Sequence, residues 1–281
     1  MRTRSGMKRT SKTLSTPSDY SSVRNNVKDA DDFKPEVKVV LYGKPGTGKT
    51  TIASTFPKPC LLIDIREKGS DSVRTTKGLK VIRVTTWDEL EMLYWYLKDN
   101  PDKLKSVVFD TVSNAQELAV KYHLDSKGQA VDAGRIGNWG TMKKQDWGEV
   151  ASMIKTLIMN VRELPLDMAF IAHDRVFNSG EEDDEADGIT PSVGPRLMPS
   201  VASTLNAAVG VIGNTFIRER YKTVGTGKEK KEVRKVEYCL RIGPHSYYIT
   251  KVRKPKSELL PDLLINPEYE DILELIMSGE E

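Results

Sequence analysis

Apolar and polar positions divide the chain into an unpatterned start and a long alternating body. Residues 1–34 are rich in Ser, Thr, Arg, Lys and Asp with almost no apolar periodicity, the composition of a disordered basic arm. From Val37 the pattern changes. Val37–Tyr42 is a β-branched run ending at glycine, as expected of a buried strand, and a helix is predicted from Lys49 to about Phe56, stopped by Pro57. Cys60–Ile65 and Val81–Val84 read as two further strands. Thr86 with Glu89 three residues on forms a capping box, after which Leu90, Leu93, Tyr94 and Leu97 recur at helical spacing. Ser106–Phe109 is another buried-strand run, ending at Asp110.

The second half continues the alternation. A helix from about Asn114 carries Ala115, Leu118, Ala119 and Tyr122 on one stripe, followed by a loop over Asp125–Gly140. The next helix has Val150, Met153, Ile154, Leu157, Ile158 and Val161 as its core face, and Met168–Ala172 reads as a strand. Asn178–Pro199, with the acidic run Glu181–Asp187, is expected to be a long functional or disordered loop. Val209–Phe216, Glu237–Ile242 and Tyr247–Val252 are predicted as three final strands, the last two a hairpin turning at Gly243–Pro244. Strands alternating with helices place the chain in the α/β class, a mostly parallel twisted sheet flanked by helices with an antiparallel hairpin at its C-terminal side. Residues 35–256 are expected to be this core. The acidic tail 257–281 holds Ile272, Leu275 and Ile276 at helical spacing, so it is expected to pack back on the core.

Composition narrows the function classes. With 281 residues and 38% hydrophobic side chains, the chain can fill one core of roughly 200–250 residues. A charged fraction of 30%, a mean hydropathy of −0.45 and no apolar run near the ~18–20 residues of a span exclude an integral helical membrane protein. The basic N-terminus lacks a signal peptide's apolar stretch, so a cytoplasmic location is expected. Cys60 and Cys239 are too few for a disulfide scaffold, and the three histidines show no zinc spacing. The net charge of +3 hides an asymmetry: residues 222–256 carry eleven Lys/Arg against three Asp/Glu, and residues 257–281 none against eight. The basic segment Lys222–Lys235, read as a mobile hairpin tip or loop, points to a polyanion partner.

One motif carries chemistry outright. Gly43-Lys44-Pro45-Gly46-Thr47-Gly48-Lys49-Thr50 follows a predicted strand and opens a predicted helix, with Thr51 next in line. That is the phosphate-binding loop in its required context: glycines let backbone N–H groups curl around phosphate, and the helix N-terminus adds partial positive charge. Lys49 is expected to bridge the terminal phosphates and Thr50 to ligate Mg²⁺. Asp110, at the end of an apolar strand, is the candidate second metal carboxylate. Glu67, with Asp64 as the alternative, is the candidate that orients the attacking water, and His173 ends a strand expected to face the same crevice.

Together these residues resemble the RecA-like ATPase core over about 36–256, most of all the small RecA-core ATPases of bacteriophages associated with single-strand annealing and recombination. The resemblance implies ATP and Mg²⁺ as cofactors, and it places His173 of Phe170–Arg175 where the family carries its γ-phosphate sensor. Tyr248–Lys254 is similar to the terminal strand whose basic residues reach a neighbouring subunit's nucleotide. It implies that Lys251 and Arg253 act in trans within a homo-oligomeric ring or filament, with ATP at the subunit interface. Single-stranded DNA is the implied partner, held by loops corresponding to Asp125–Asp146, with Lys127, Arg135, Trp139, Lys143 and Lys144, and Asn178–Pro199, with Arg196. A single-strand-binding protein is a further implied partner, no membrane is involved, and the setting would be a bacterial host's cytoplasm for a phage-encoded chain. The family's catalytic glutamate commonly stands two residues after the strand-ending aspartate; Arg66 is there, and Glu67 is one further on. This departure implies slow hydrolysis or a one-residue insertion in the turn. Two other readings stay open: a nucleotide-gated binding module with negligible turnover, and a helicase or packaging motor.

Overall fold

A computed structural model of the chain describes residues 26–29, 36–128, 142–177, 191–224, 231–254 and 260–277. Most of the predicted basic arm, Arg135, Trp139, the acidic run Glu181–Asp187 and the last four residues lie outside the described residues. Residues Glu36–Glu281 make up one unit, and Met1–Pro35 another.

The larger unit is built on a nine-stranded sheet with helices on both faces, beside a two-stranded sheet of β6 and β7. Its elements in chain order are β1 (Lys38–Gly43), α1 (Lys49–Ala53), β2 (Cys60–Ile65), β3 (Leu79–Val84), α2 (Trp87–Asp99), β4 (Ser106–Asp110), α3 (Val112–Ser126), α4 (Lys144–Arg162) and β5 (Asp167–Ala172). There follow β6 (Asp174–Phe177), β7 (Ser192–Pro195), α5 (Pro199–Ala208), β8 (Val211–Val224), β9 (Lys231–Arg241), β10 (Lys251–Val252), β11 (Leu263–Ile265) and α6 (Tyr269–Met277). The sheet order is β11-β9-β8-β1-β5-β4-β2-β3, parallel from β8 to β3 and antiparallel from β8 to β11.

The two-residue period of β1 explains why the parallel strands read as unbroken apolar runs. Val40 and Tyr42 face the core under α2–α5, while Val39 and Leu41 face the core under α1 and α6. Both faces of the central strands are therefore dry. The predicted capping box forms: Glu89 N donates to Thr86 Oγ1, and Glu89 Oε2 accepts from Thr86 N. The acidic tail packs on the core, with Tyr269 and Ile272 buried and Leu275 and Ile276 half-buried against the α1 side.

Five expectations need correction. Helix α1 ends at Ala53 rather than Phe56, the chain turning so that the Phe56 ring enters the core. On α3, Tyr122 is 39% exposed and His123 is buried in its place, because His123 faces Asp146 and Glu149 of α4. Within the predicted loop Asn178–Pro199, Ser192–Pro195 is strand β7, paired antiparallel with β6, and the unpredicted helix α5 begins at Pro199. The segment Lys222–Lys235 is largely strand: β8 and β9 pair continuously from Asn214↔Arg241 to Val224↔Lys231, with 225–230 outside the described residues. Charge obscured β-branched and aromatic residues that suit a ribbon exposed on both sides. The antiparallel hairpin is this β8–β9 pair. Segment 247–252 instead runs along β7, where Ile249 N donates to Val193 O at 2.9 Å, and β10 then pairs with the start of β8.

Candidate functional site

β1 and α1 are joined by a loop whose backbone curls back on itself. Gly48 sits at φ 85°, a left-handed conformation that side chains disfavour, and so starts α1 with its N–H groups turned inward. Lys49 is buried, and its Nζ donates to Gly43 O at 2.9 Å and Lys44 O at 2.8 Å. Burial lowers the Lys49 pKa, opposed by the carboxylates of Asp110, Asp174 and Glu67. The ammonium is thus held at the loop by carbonyls, within a cavity of about 770 Å³ lined by Gly46, Gly48, Lys49, Thr50 and Thr51 among others. Thr47 Oγ1 lies 2.6 Å from Thr215 Oγ1, tying the loop to β8.

Asp110, at the end of β4, meets the loop directly. Thr50 Oγ1 donates to Asp110 Oδ2 at 2.8 Å. Burial raises the Asp110 pKa to about 6; the Thr50 bond and Lys49 pull it down, and Glu67 and Asp64 push it up. Gly69 closes over this pair: a Cβ there would lie 2.5 Å from Asp110 Oδ2. A hydroxyl and a carboxylate side by side are hard oxygen donors of the kind Mg²⁺ takes while keeping water and phosphate ligands. Among the described residues no group of three His, Cys, Asp or Glu side chains makes an all-protein metal cage. The residues present fit a metal shared with a phosphate.

Beside them stands a carboxylate held by two partners. Glu67 Oε2 accepts from Asn114 Nδ2 at 2.8 Å and lies 3.3 Å from His173 Nε2. The first turn of α3 organises both, since Asn114 also donates to Ile65 O at 2.9 Å and His173 N donates to Ser113 Oγ at 3.2 Å. Asp64, the alternative to Glu67, is occupied by its own turn. Its Oδ1 accepts from Glu67 N at 3.2 Å and Lys68 N at 2.8 Å, and Oδ2 accepts from Ser70 Oγ at 2.5 Å. Arg66 and Lys68 both adopt φ 57°, a costly backbone for non-glycine residues. That turn brings the displaced Glu67 to the cavity it lines; His173 does not line it.

The remaining predicted residues lie elsewhere. Lys251 Nζ donates to Asn206 O at 2.7 Å and Val209 O at 2.8 Å, capping the C-terminal end of α5, whereas the Arg253 side chain is exposed. Neither lines the cavity of its own chain. Lys127 pairs with Asp146, and Lys143 contributes its backbone N–H to Asp146 Oδ2 at 2.7 Å at the start of α4. Arg196 pairs with Glu117 at 3.6 Å. Lys144 lines a groove of about 1130 Å³ with Trp147, Lys155, Arg175 and Phe177, between α4, α5 and β6.

Sequence reasoning missed Asn114 as the partner of Glu67. Its one local signal is position: three residues after Thr111, whose Oγ1 accepts from Asn114 N at 3.2 Å, it is fixed in a capped first turn. Sequence reasoning also missed Tyr238, Asn266, Pro267 and Glu268, which line the same cavity from over a hundred residues away and carry no motif.

The family model for an AAA domain matches residues 35–253. No curated protein matches the chain. Among the described residues no helix is long and apolar enough to cross a membrane.

Proposed function

The chain belongs to the AAA domain family, and on that premise we propose that it binds ATP with Mg²⁺, hydrolyses it, and binds single-stranded DNA in phage-type recombination or strand annealing. The observation that carries the ATPase reading is the 2.8 Å contact of Thr50 with Asp110 beside a buried Lys49. It joins a metal-type donor pair to a phosphate-binding loop. Mg²⁺ held by Thr50 and Asp110 would neutralise charge on the phosphates. The loop N–H groups and Lys49 bind and orient the phosphate chain, and Glu67 positions water and accepts its proton. Asn114 and His173 hold Glu67 in place. Steady-state phosphate release, abolished in Lys49→Ala, tests this; undiminished turnover in that variant overturns it.

The DNA reading rests on the groove of Lys144, Trp147, Lys155, Arg175 and Phe177. Cations among aromatic rings suit a single strand, whose phosphates and bases they hold by charge and stacking. Segments 129–141 and 178–190, which adjoin the groove's residues in sequence, belong to the two loops that the resemblance assigns to DNA. Arg253, being exposed, is the better candidate of the terminal pair to act across a homo-oligomer interface, because the Lys251 ammonium is engaged at α5. Anisotropy of a labelled oligonucleotide, with and without ATP and Mg²⁺ across a salt series, tests the DNA reading. No binding at low salt overturns it.

A nucleotide-gated module is the second reading. It is favoured by the Glu67 carboxylate oxygen that already faces both Asn114 and His173. Tight ATP binding without measurable turnover, with or without DNA, would establish it.

A further inference from the structure

The outer half of the β8–β9 ribbon gathers more positive charge on one face than that face offsets. Counting by two along β8 from Ile212, which belongs to the core under α2–α5, reaches Arg218 and Arg220. Their cross-strand partners on β9 are Glu237 and Lys235. Glu237 is buried, and all three cations turn to it. Arg218 donates to its Oε2 at 2.8 Å, Arg220 Nε lies 3.6 Å from the same oxygen, and Lys235 Nζ lies 3.3 Å from Oε1. One carboxylate thus offsets one of three charges. Arg220 and Lys235 stand directly opposite each other with side chains 56% and 46% exposed, a like-charge pairing that costs stability unless an anion covers it.

The same chain carries the opposite charge elsewhere. Residues 257–281 hold eight Asp/Glu and no Lys/Arg. Helix α6 turns Tyr269, Ile272 and Ile276 to the core under α1, which leaves Glu270, Asp271 and Glu274 on its exposed face. Among the described residues none of these three is ion-paired. The charge of Glu270 reaches Lys58, but that ammonium donates to Phe56 O at 2.7 Å. Glu270 and Glu274, one turn apart, have Cβ atoms about 5–6 Å apart, close to the about 5 Å of a cross-strand pair such as Arg220 and Lys235. Helix α6 packs against the sheet face of Val211 and Leu240, whereas the cations continue the face of Ile212. Within one chain the two charged surfaces therefore point away from each other.

We propose that the cationic face of the ribbon docks on the acidic face of α6 of a second copy, Arg220 and Lys235 meeting Glu270 and Glu274; the inference rests on the homo-oligomer reading above. Charge complementarity selects the occupant. The exposed rings of the ribbon, Tyr221 and Tyr238, stand on its other face, so these cations lack the stacking surface that suits a single strand. Each copy gives one surface and takes the other, a head-to-tail contact that repeats as a ring or a filament. Exposed charge pairs are weak singly and screened by salt, so the assembly is salt-sensitive.

Sedimentation velocity of the full chain, without nucleotide or nucleic acid, tests this over a protein and salt series. The variants are the ribbon reversal Arg220→Glu/Lys235→Glu and the helix reversal Glu270→Lys/Glu274→Lys, each checked for unchanged melting temperature. Wild type is expected to associate at low salt and to lose about tenfold or more in affinity at about 1 M salt. Each reversal alone should weaken association at least about tenfold, by repulsion as well as lost attraction. An equimolar mixture of the two should recover it, because the acidic ribbon of one meets the basic helix of the other. A monomeric wild type overturns the proposal together with the homo-oligomer reading. Wild-type association in either reversal, or no recovery in the mixture, overturns the pairing and leaves that reading standing. Weaker oligonucleotide binding in the ribbon reversal, with association unchanged, gives the cations to nucleic acid and overturns the pairing likewise. Should the ribbon reversal lower the melting temperature, since both cations border Glu237, Arg220→Gln/Lys235→Gln takes its place. About tenfold weaker association is then expected, and wild-type association overturns the pairing.

Discussion

The hydroxyl of Thr50 and the carboxylate of Asp110 meet at 2.8 Å although sixty residues separate them, one at the start of α1 and the other at the end of β4. Asp110 is 1% exposed, and burial holds its pKa near 6 against an ordinary 3.8. The folded chain therefore holds this proton more tightly than the unfolded chain. Its contribution to stability is fully present below pH 4 and is lost as pH rises through about 6.

Asp110→Asn removes that loss. Urea unfolding of the ligand-free variant at pH 8 should show a gain of about 1–3 kcal/mol, shrinking to nothing below pH 4, with magnesium-dependent nucleotide binding abolished. A destabilised variant at pH 8 would contradict the charged, buried state assigned to Asp110. In the wild-type chain, magnesium-dependent nucleotide affinity should fall as pH drops below about 6, since metal and proton compete for one oxygen.

Asn114→Ala tests the support of Glu67. The carboxylate loses its donor at 2.8 Å, so kcat should drop about tenfold while ATP affinity is kept. Glu67→Gln should cost about 10²–10⁴ in kcat. If Asn114→Ala raises KM and leaves kcat alone, the amide does not position the carboxylate.

Lys251→Ala and Arg253→Ala should separate structure from function. Loss of the Lys251 ammonium strips two carbonyls at the end of α5 and should cost about 1–2 kcal/mol in denaturation. Arg253→Ala should leave stability within about 0.5 kcal/mol. Mixed with Lys49→Ala protein, the Arg253→Ala protein should regain part of its ATPase. No recovery in a mixture shown to co-assemble counts against action across an interface.

Trp147→Ala and Lys155→Glu probe the groove between α4 and α5. Each should weaken oligonucleotide binding about tenfold, and only the charge reversal should flatten the salt dependence. Wild-type affinity in both variants would move the polyanion partner to another surface.

Much of the fold was legible because its signals are short in range. Val37–Tyr42 reads as a buried strand, and it is buried on both sides since a parallel sheet between two helical layers leaves no polar face. The outer half of the β8–β9 ribbon, beyond Phe216 and before Glu237, escaped for the converse reason. Exposed on both sides, with Tyr221, Val233 and Val236 set among Arg and Lys, it has no apolar face to betray its period. Tyr122 and His123 differ by one residue on the same stripe, and the choice between them fell to Asp146 and Glu149 of a different helix.

Eight contiguous residues, Gly43–Thr50, were enough to write the phosphate loop, because its glycines and helix start act on their own backbone. Strand order and register decided the rest. They set Asp110 against Thr50, placed Asn114 and His173 on Glu67, turned Lys251 inward to α5, and carried Asn266 and Glu268 of the tail to the mouth of the same cavity. Each of these contacts joins residues that no local pattern links, so only the packed sheet could bring them within reach.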